Sequence, residues 1–184
     1  ILSIAGSCSA GGCMKLYADL VKYNMVDAIV ATGASIVDMD FFVALGFRHY
    51  QASSSVDDGK LRDLQIDRIY DTYIDEEQLQ CCDRTIFEIA NNLKPQPYSS
   101  REFIHAMGAY LAAGNAKKED SLVQLAYEQG VPIFCPAFTE SSAGFVLVLH
   151  QVKNPNRHLT MDSIRDFREL TEIKIKAETT GLLM

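Results

Sequence analysis

Apolar positions along the chain form short continuous runs that alternate with longer segments of helical period. Runs of about five apolar residues, each followed by a loop of small residues, are typical of strands buried on both faces of a sheet. They occupy residues 1–5, 26–31 and 131–135. Segments with apolar residues every three or four positions lie between them and predict helices. This order of strand, loop, helix and strand predicts parallel βαβ units and an α/β fold.

Local signals set the bounds of the predicted helices, which span residues 13–23, 37–45, 75–93, 100–114, 122–129 and 160–177. Asp75 with Gln78, and Ser99 with Glu102, have the spacing of N-terminal caps. Gly130 stands where a glycine commonly ends a helix. The side chains expected to face the core are Leu16, Leu20 and Val21 in the first helix, and Ile164, Phe167, Leu170 and Ile173 in the last.

Other segments remain open to two interpretations. Residues 51–63 are polar and rich in serine, which favours an exposed excursion. Residues 67–75 alternate charged with bulky side chains, as in an edge strand, which would lie in solvent or at a subunit contact. The apolar run at residues 145–152 fits a strand or a helix equally well.

Composition excludes several classes of protein. Of 184 residues 48% are apolar, and the net charge is −7, which favours a globular domain and disfavours binding to a nucleic-acid backbone. The apolar runs are too short to span a membrane, and no signal peptide is visible. The five cysteines form no zinc-binding pattern, and their odd number favours a reducing compartment, hence the cytoplasm.

Both ends of the chain suggest that sequence is missing. The first residues read as the middle of a strand, without a starting methionine, and residues 180–184 read as a final strand without its loop. We therefore expect residues 1–184 to form a single partial α/β domain. Its Rossmann-like parallel sheet, flanked by helices, would be incomplete at the C-terminal side.

Loops of glycine, alanine, serine and threonine follow the three predicted strands, at residues 6–12, 32–35 and 139–144. Small residues at the ends of parallel strands let backbone N–H groups approach a phosphate. The first loop lacks the GxGxxG spacing of a dinucleotide fingerprint, and ordinary βα turns would have the same composition. The pattern therefore indicates a nucleotide site without proving one.

A few ionisable side chains near these loops are candidates for ligand binding. Asp38, Asp40 and Glu140 could hold ribose hydroxyls or a cationic substrate, although Asp38 could equally cap a helix. Glu140 follows a buried strand directly, where a ligand role and a solvated loop are both reasonable. We interpret His150 as a hydrogen-bonded boundary residue, and Cys135 as a small core residue.

Several segments together resemble the deoxyhypusine synthase family. They are Asn-Met-Val-Asp-Ala-Ile-Val-Ala-Thr-Gly-Ala at 24–34, Ile-Asp-Arg-Ile at 66–69, Val-Pro-Ile-Phe-Cys-Pro-Ala-Phe-Thr-Glu at 131–140, His150 with Lys153-Asn154-Pro155, and Thr-Gly-Leu-Leu-Met at 180–184. Asp-Ala-Ile-Val and Ser-Ser-Ala-Gly-Phe are similar to the bacterial-type branch. Some members of that branch are regarded as making homospermidine or acting on other amines.

The resemblance implies an activity and a set of contacts. In this family NAD takes a hydride from spermidine, an enzyme lysine accepts the aminobutyl group from the resulting imine, a lysine of the translation factor eIF5A receives it, and the hydride returns. The resemblance thus implies that the single partial domain binds NAD. Members are tetramers with NAD at dimer interfaces. The implied cofactor contacts are Gly6, Ser7, Cys8, Ser9, Ala10, Thr32, Gly33, Ala34 and Glu140. The implied substrate-binding acid is Asp38.

The chain also departs from the family pattern. Glu140 stands where the family commonly has aspartate, and Phe145 stands where the eukaryotic type has a substrate-binding aspartate. The family's lysine-bearing loop would lie beyond Met184, in a second chain or in absent residues, so we expect no catalytic residue in this chain. The alternatives are a homospermidine synthase-like enzyme, a non-catalytic regulatory subunit and, last, a plain nucleotide-binding module.

Overall fold

The structure is a computed structural model that describes residues 1–5 and 9–184, with Ser9 and Ala10 described by their backbone only. Its strands are β1 (Leu2–Ile4), β2 (Ile29–Ala31), β3 (His49–Gln51), β4 (Ile66–Ile69), β5 (Thr72–Asp75), β6 (Pro97–Tyr98), β7 (Ile133–Phe134) and β8 (Thr160–Met161). Its α-helices are α1 (Met14–Lys22), α2 (Phe42–Ala44), α3 (Asp58–Asp63), α4 (Glu76–Asn92), α5 (Ser100–Tyr110), α6 (Leu122–Gln129), α7 (Ser142–Lys153) and α8 (Ser163–Lys176). Wider π-helical turns lie at Ser9–Cys13, Ala34–Phe41 and Leu111–Asn115, and a 3-10 turn lies at Phe138–Glu140.

The main sheet is parallel and has β2 between β1 and β7. Leu183 lies parallel to Leu2 on the other side of β1, and the N–H of Ser3 donates to its carbonyl at 2.8 Å. The order across the sheet is therefore β7, β2, β1 and the segment at Leu183. The predicted α/β class with a parallel sheet is confirmed. The strands are shorter than the apolar runs because the flanking residues already turn into loops.

A second, antiparallel sheet corrects one sequence interpretation. Residues 66–75 form a hairpin of β4 and β5, with β3 on the other side of β5, rather than one edge strand. Tyr70 takes the left-handed backbone conformation (φ 56°) in the turn, which a continuous strand would not allow. The polar excursion before this hairpin contains α3, which Asp57 caps by accepting the N–H of Gly59 at 2.8 Å.

The helix boundaries agree closely with the local sequence signals. Asp75 accepts the N–H of Gln78 at 3.1 Å at the start of α4, and Ser99 and Glu102 form a reciprocal capping box at the start of α5. Gly130 ends α6 in the left-handed conformation (φ 69°). The ambiguous run at residues 145–152 lies within helix α7.

The predicted inward faces of the first and last helices are partly wrong. Ile164 and Phe167 of α8 are 77% and 69% exposed, whereas Asp166 is 1% exposed. Asp166 accepts the N–H groups of Ser100 (2.8 Å) and Arg101 (3.2 Å), so α8 docks on α5 through a polar face. Leu16 of α1 is likewise exposed, because that helix buries Ala18 and Val21 instead.

Helices cover the main sheet and form the core with it. α6 packs against both α1 and α5, and α4 packs against α7. Phe103 of α5 meets Phe138 edge to face, with ring centroids 5.5 Å apart, and both are fully buried. Within residues 1–5 and 9–184, no helix is long and apolar enough to cross a membrane.

Candidate functional site

The loops that follow β2 and β7 meet at one edge of the main sheet. Parallel strands end at the same edge, where ligands of open α/β sheets bind. A Cβ atom on Gly33 would lie 2.4 Å from the Cβ of Ser141, so the loop after β2 touches the loop after β7 directly. Gly144 allows a second close approach, since its Cβ would lie 2.0 Å from the carbonyl oxygen of Thr139. Gly33 therefore lets the two loops approach closely, and Gly144 lets the start of α7 fold back on its own loop.

The structure describes some of the predicted cofactor contacts and not others. Gly6, Ser7 and Cys8 lie outside the described residues, as do the side chains of Ser9 and Ala10.

The contacts predicted on the loop after β2 are within the described part. Thr32 uses its hydroxyl to accept the N–H of Ser35 at 3.4 Å and lies 3.1 Å from the Ser35 hydroxyl. Gly33 is buried between the loops, and Ala34 is exposed at the start of the π-helical turn. Of these three residues, Ala34 is therefore the one that is exposed to a ligand.

Glu140 lies on the loop after β7 and is exposed. Its N–H donates to Ala137 at 3.0 Å, which fixes the backbone. Among the described residues its carboxylate has no hydrogen-bond or salt-bridge partner, so it is available to a ligand at the sheet edge.

Asp38 is half-buried and is bound to the first turn of α7. The hydroxyl of Ser142 donates to its Oδ1 atom, and the Ser142 backbone also bonds to it. Burial raises the pKa of Asp38, and the two bonds from Ser142 oppose that rise. The carboxylate therefore caps α7 from another part of the chain, and it does not cap its own helix.

Asp40 has a structural role, not the ligand role considered from sequence. It is 5% exposed. It accepts the Ser121 hydroxyl at 2.7 Å and the N–H groups of Leu122 and Val123 at 2.9 Å each. Burial raises its pKa against the effect of these bonds. Because all three donors belong to the start of α6, Asp40 caps that helix and is occupied.

Asp83 of α4 is an ionisable residue with an unusual environment that the sequence reasoning did not single out. Its Oδ1 atom is buried and, among the described residues, has no hydrogen-bond partner. Burial raises the pKa of this carboxyl to about 6, and the charges of Asp38 and Glu76 add to the rise. The sequence carries no signal for it, since an aspartate between Cys82 and Arg84 on a helix resembles any polar boundary residue.

A second carboxyl pair lies farther along, where the hairpin meets α4. A hydrogen bond with Glu76 is the main reason that the pKa of Asp67 is raised to about 6, with burial contributing next. Two hydrogen-bonded carboxyls share a proton, because ionisation of one disfavours ionisation of the other. The N-terminal half of α4 is thus acidic from Glu76 to Asp83.

His150 and Cys135 have structural roles, in line with their sequence interpretation. His150 is 3% exposed. Its Nδ1 lies 2.9 Å from Asn91 Oδ1, and its Nε2 accepts the N–H of Leu159 at 3.2 Å, which fixes a neutral ring. Burial lowers the pKa of His150 and raises the pKa of Cys135 to about 12. Neither group is poised for catalysis.

A cavity of about 280 Å³ opens beside the π-helical turn that carries Asp38 and Asp40. Its lining includes Gly12, Met39, His49, Lys118 and Ser121. His49 contributes a buried Nε2 atom without a partner among the described residues, and burial lowers its pKa. The cavity therefore borders the π-helical turn after β2 and has a lining of mixed charge.

The fold and the loop contacts define an α/β protein whose loops meet at one edge of a parallel sheet, and comparison with known proteins places it in a family. The model of the deoxyhypusine synthase family matches residues 1–184. The chain therefore belongs to the deoxyhypusine synthase family.

Named relatives agree with this assignment. A deoxyhypusine synthase-like protein of Coxiella burnetii (strain Dugway 5J108-111) is 84% identical over the whole chain, which covers 52% of that protein. The "Probable deoxyhypusine synthase 2" of Archaeoglobus fulgidus is 37% identical over the whole chain, which covers 58% of it. The chain thus spans about half the length of the curated relatives it matches.

A solved structure shares the fold. The crystal structure of a candidate deoxyhypusine synthase from Entamoeba histolytica superposes with a TM-score of 0.73 at 21% sequence identity. The match covers 98% of this chain and 55% of that one. At this identity the likeness supports the fold alone.

Proposed function

We propose that the complete protein is an NAD-dependent transferase that moves an aminobutyl group from spermidine, through an imine, to a lysine of eIF5A. The observation that carries the proposal is the meeting of the β2 and β7 loops, which brings Gly33, Asp38 and Glu140 to one sheet edge in a member of the deoxyhypusine synthase family. We assign the nucleophilic lysine to the part of the complete protein outside these 184 residues.

The residues at this edge fit a dinucleotide. We interpret the sheet order β7, β2, β1 and the Leu183 segment as part of a Rossmann-like sheet, in which ligands bind at the carboxyl ends of the parallel strands. The exposed rim at Ala34 offers a backbone approach without a bulky side chain, and the free carboxylate of Glu140 suits ribose hydroxyls. NAD, when bound, supplies the acceptor for a hydride from the amine.

The protein's own groups would position the substrate. Asp38 and Asp83 place negative charge beside the edge, which favours a cationic amine. Small loop residues and the buried Gly33–Ser141 contact keep the two loops at a fixed separation. These groups bind and orient the substrate, and the covalent step belongs to the proposed lysine.

The test is transfer by the complete protein. With NAD, isotope-labelled spermidine and purified eIF5A, we expect the label on one lysine of eIF5A, detected by mass spectrometry of the intact acceptor and its peptides. Glu140→Gln should weaken NAD binding about tenfold or more, since a carboxylate–hydroxyl bond contributes about 1.5–3 kcal/mol, without changing the melting temperature. Transfer that proceeds equally without NAD would contradict the proposal.

A homospermidine synthase-like activity is the second candidate, and one observation favours it. Phe145, on the first turn of α7, is 83% exposed and stands where the resemblance places a substrate-binding aspartate of the eukaryotic type. An apolar side chain there changes how the amine acceptor is recognised. Labelled homospermidine formed from spermidine and putrescine, with no label on eIF5A, would select this alternative.

We also propose that the complete protein is a homo-oligomer, most simply a tetramer. The exposed apolar side chains on one face of α7 are Phe145, Val148, Leu149 and Val152. Their spacing of three and four residues forms one stripe that water disfavours. The Ile69–Tyr70 turn of the hairpin is exposed as well, although Ile74 belongs to the core. Light scattering of the complete protein measures the assembly.

A further inference from the structure

A cavity of about 520 Å³ lies between the turn that follows α2 and the loop that precedes α6. Its ionisable lining consists of Arg48, His49, Lys117 and Lys118. No carboxylate of the described residues belongs to this lining, although the chain has 24 aspartates and glutamates against 17 lysines and arginines. The fold therefore gathers positive charge at one place in an acidic chain.

The three permanent cations of this cavity have no counter-ion among the described residues. Arg48, Lys117 and Lys118 are exposed, and each lacks a carboxylate within salt-bridge distance in that part of the chain. The neighbouring carboxylate of Asp120 is already taken, since Lys15 and Lys22 approach it at 3.8 Å and 3.4 Å. The positive charge of the cavity is therefore available to a ligand.

His49 adds a hydrogen-bonding group to the same lining. Burial is the main reason that its pKa is lowered, and the charge of Lys118 lowers it further. The effect of Lys118 on this ring shows that its charge reaches the interior of the cavity.

The backbone that carries the two lysines is fixed at both ends. The N–H of Lys117 donates to the carbonyl of Ala44 at 2.7 Å. Gly46 takes the left-handed conformation (φ 96°) beside it, and a Cβ atom on Gly46 would lie 2.9 Å from the Cβ of Lys117. At the other end, Asp40 accepts the hydroxyl of Ser121 at 2.7 Å. A backbone held in this way has little conformational freedom to lose when the site binds an anion.

The arrangement favours phosphate groups over a single carboxylate. A guanidinium group binds phosphate oxygens through two parallel N–H donors, and the lysine ammonium groups add point charges. One carboxylate would leave two of the three cations uncompensated, whereas a diphosphate or triphosphate carries several negative charges. Small-molecule sites typically have volumes of about 300–1,000 Å³. Val43 and Phe47 complete the lining with apolar surface, against which the organic part of such a ligand can pack.

We infer that this cavity binds an organic diphosphate or polyphosphate, whose phosphate groups contact Arg48, Lys117 and Lys118. The inference goes beyond the proposed transfer reaction and does not depend on it. Of the predicted NAD contacts that the structure describes, none lines this cavity. The ligand is therefore a second phosphate compound, bound in addition to NAD.

The experiment is calorimetric titration of the complete protein with inorganic pyrophosphate at pH 7.5, without divalent cations. Arg48→Gln/Lys118→Gln removes two of the three charges, and we expect it to lower the affinity tenfold or more. The single variants Arg48→Gln and Lys118→Gln should each lose part of that affinity. Lys117 is left unchanged, because its Cβ packs against Gly46.

The matched control is Lys60→Gln/Lys94→Gln. Both lysines are exposed and lie outside the cavity lining, so the control has the same net charge as the double variant. We expect the control to bind pyrophosphate within about twofold of the wild type, since exposed charges at a distance are largely screened. Matching melting temperatures show that all the variants are folded.

A titration repeated with saturating NAD separates this cavity from the sheet edge. We expect NAD to leave the affinity for pyrophosphate unchanged. Loss of pyrophosphate binding when NAD is present would place the pyrophosphate at the cofactor position and overturn the inference.

The remaining outcomes are equally decisive. A wild-type protein that shows no saturable binding of pyrophosphate, or an equal loss of affinity in the two double variants, would also overturn it. Weaker binding in Arg48→Gln/Lys118→Gln, with the control like the wild type, would support it. Transfer of the aminobutyl group is measured separately, so none of these results decides the proposed function.

Discussion

Asp38 and Asp40 stand two residues apart on one π-helical turn. Each caps the start of a helix that lies far away in sequence, α7 for Asp38 and α6 for Asp40. Asp40 is almost fully buried and accepts three hydrogen bonds at the start of α6. Asp38 is half-buried, is bound at the start of α7 by Ser142, its one hydrogen-bond partner among the described residues, and lies near a second carboxylate. Both carboxylates therefore cap a helix. The cap at Asp40 stabilises the fold, whereas the cap at Asp38 leaves a nearby carboxyl without a hydrogen-bond donor.

The difference follows from what surrounds each carboxylate. Three donors bind the carboxylate of Asp40, and these hydrogen bonds offset part of the cost of burying its charge. Around Asp38 the neighbouring carboxyl of Asp83 has no donor among the described residues. A site can keep such a pair only where a ligand, or a proton, completes it. The predictions below distinguish the fully hydrogen-bonded carboxylate of Asp40 from the pair formed by Asp38 and Asp83.

The largest expected effect is that of Asp40→Ala. The substitution leaves the N–H groups of Leu122 and Val123 buried without an acceptor, each at a cost of about 1–3 kcal/mol. We expect the free energy of unfolding to fall by about 3–5 kcal/mol, measured by urea denaturation. Asp40→Asn retains one acceptor oxygen and should lose roughly half as much. A loss below about 1 kcal/mol would mean that α6 is not held by this cap.

The next effect concerns the contact that joins the two loops. In Gly33→Ala the added methyl carbon would lie 2.4 Å from the Cβ of Ser141, which is closer than two carbon atoms can pack. Overpacking of this kind costs about 1–3 kcal/mol. Denaturation of Gly33→Ala, Ser141→Gly and the double variant gives the coupling between the positions. We expect Ser141→Gly to relieve part of the loss, and strictly additive effects would show that the loops do not touch.

The unpaired carboxyl of Asp83 should make the free energy of unfolding depend on pH. The folded-state pKa of Asp83 is raised to about 6 from the ordinary aspartate value of 3.8. Between these values the folded protein binds more protons than the unfolded chain, so the stability contributed by this group falls as pH rises toward 6. Without ligand, Asp83→Asn should unfold with the wild-type free energy near pH 4. It should be more stable by about 1–2 kcal/mol at pH 7.

Glu88→Gln is the control for this pH profile, because Glu88 is an exposed carboxylate on the same helix as Asp83. If the difference between Asp83→Asn and the wild type stays constant across pH 4–7, the carboxyl of Asp83 does not titrate in this range.

Local signals let the sequence predict part of this arrangement. The capping box at Ser99 and Glu102, and the glycine that ends α6, depend only on residues a few positions apart. The order of apolar runs and small-residue loops indicated the parallel sheet and the edge where Thr32 and Glu140 lie, and the family resemblance is confirmed by the match over residues 1–184. The cofactor and substrate roles of these residues stay predictions.

Long-range pairings could not be predicted from local pattern. Asp40 and Ser121 are 81 residues apart, and Asp166 and Ser100 are 66 apart. Only the folded chain shows that these carboxylates cap distant helices. The apolar periodicity of α8 was misleading for the same reason, because Asp166 determines which face docks. The unpaired Asp83 had no sequence signal, since the absence of a donor is a property of the fold.

The smallest expected effect is that of Asp38→Ala, and it completes the comparison with Asp40. Removing a cap on the exposed side of a helix costs about 1 kcal/mol, because water can replace the lost acceptor. We therefore expect Asp38→Ala to destabilise the protein much less than Asp40→Ala does, and to lower the pKa of Asp83 by removing a neighbouring negative charge. Carboxyl-carbon NMR of Asp83 measures that shift, with Glu88→Gln as the control that should leave it unchanged. If Asp38→Ala unfolds the protein as readily as Asp40→Ala, both carboxylates are purely structural and the proposed amine site loses one of its two charges.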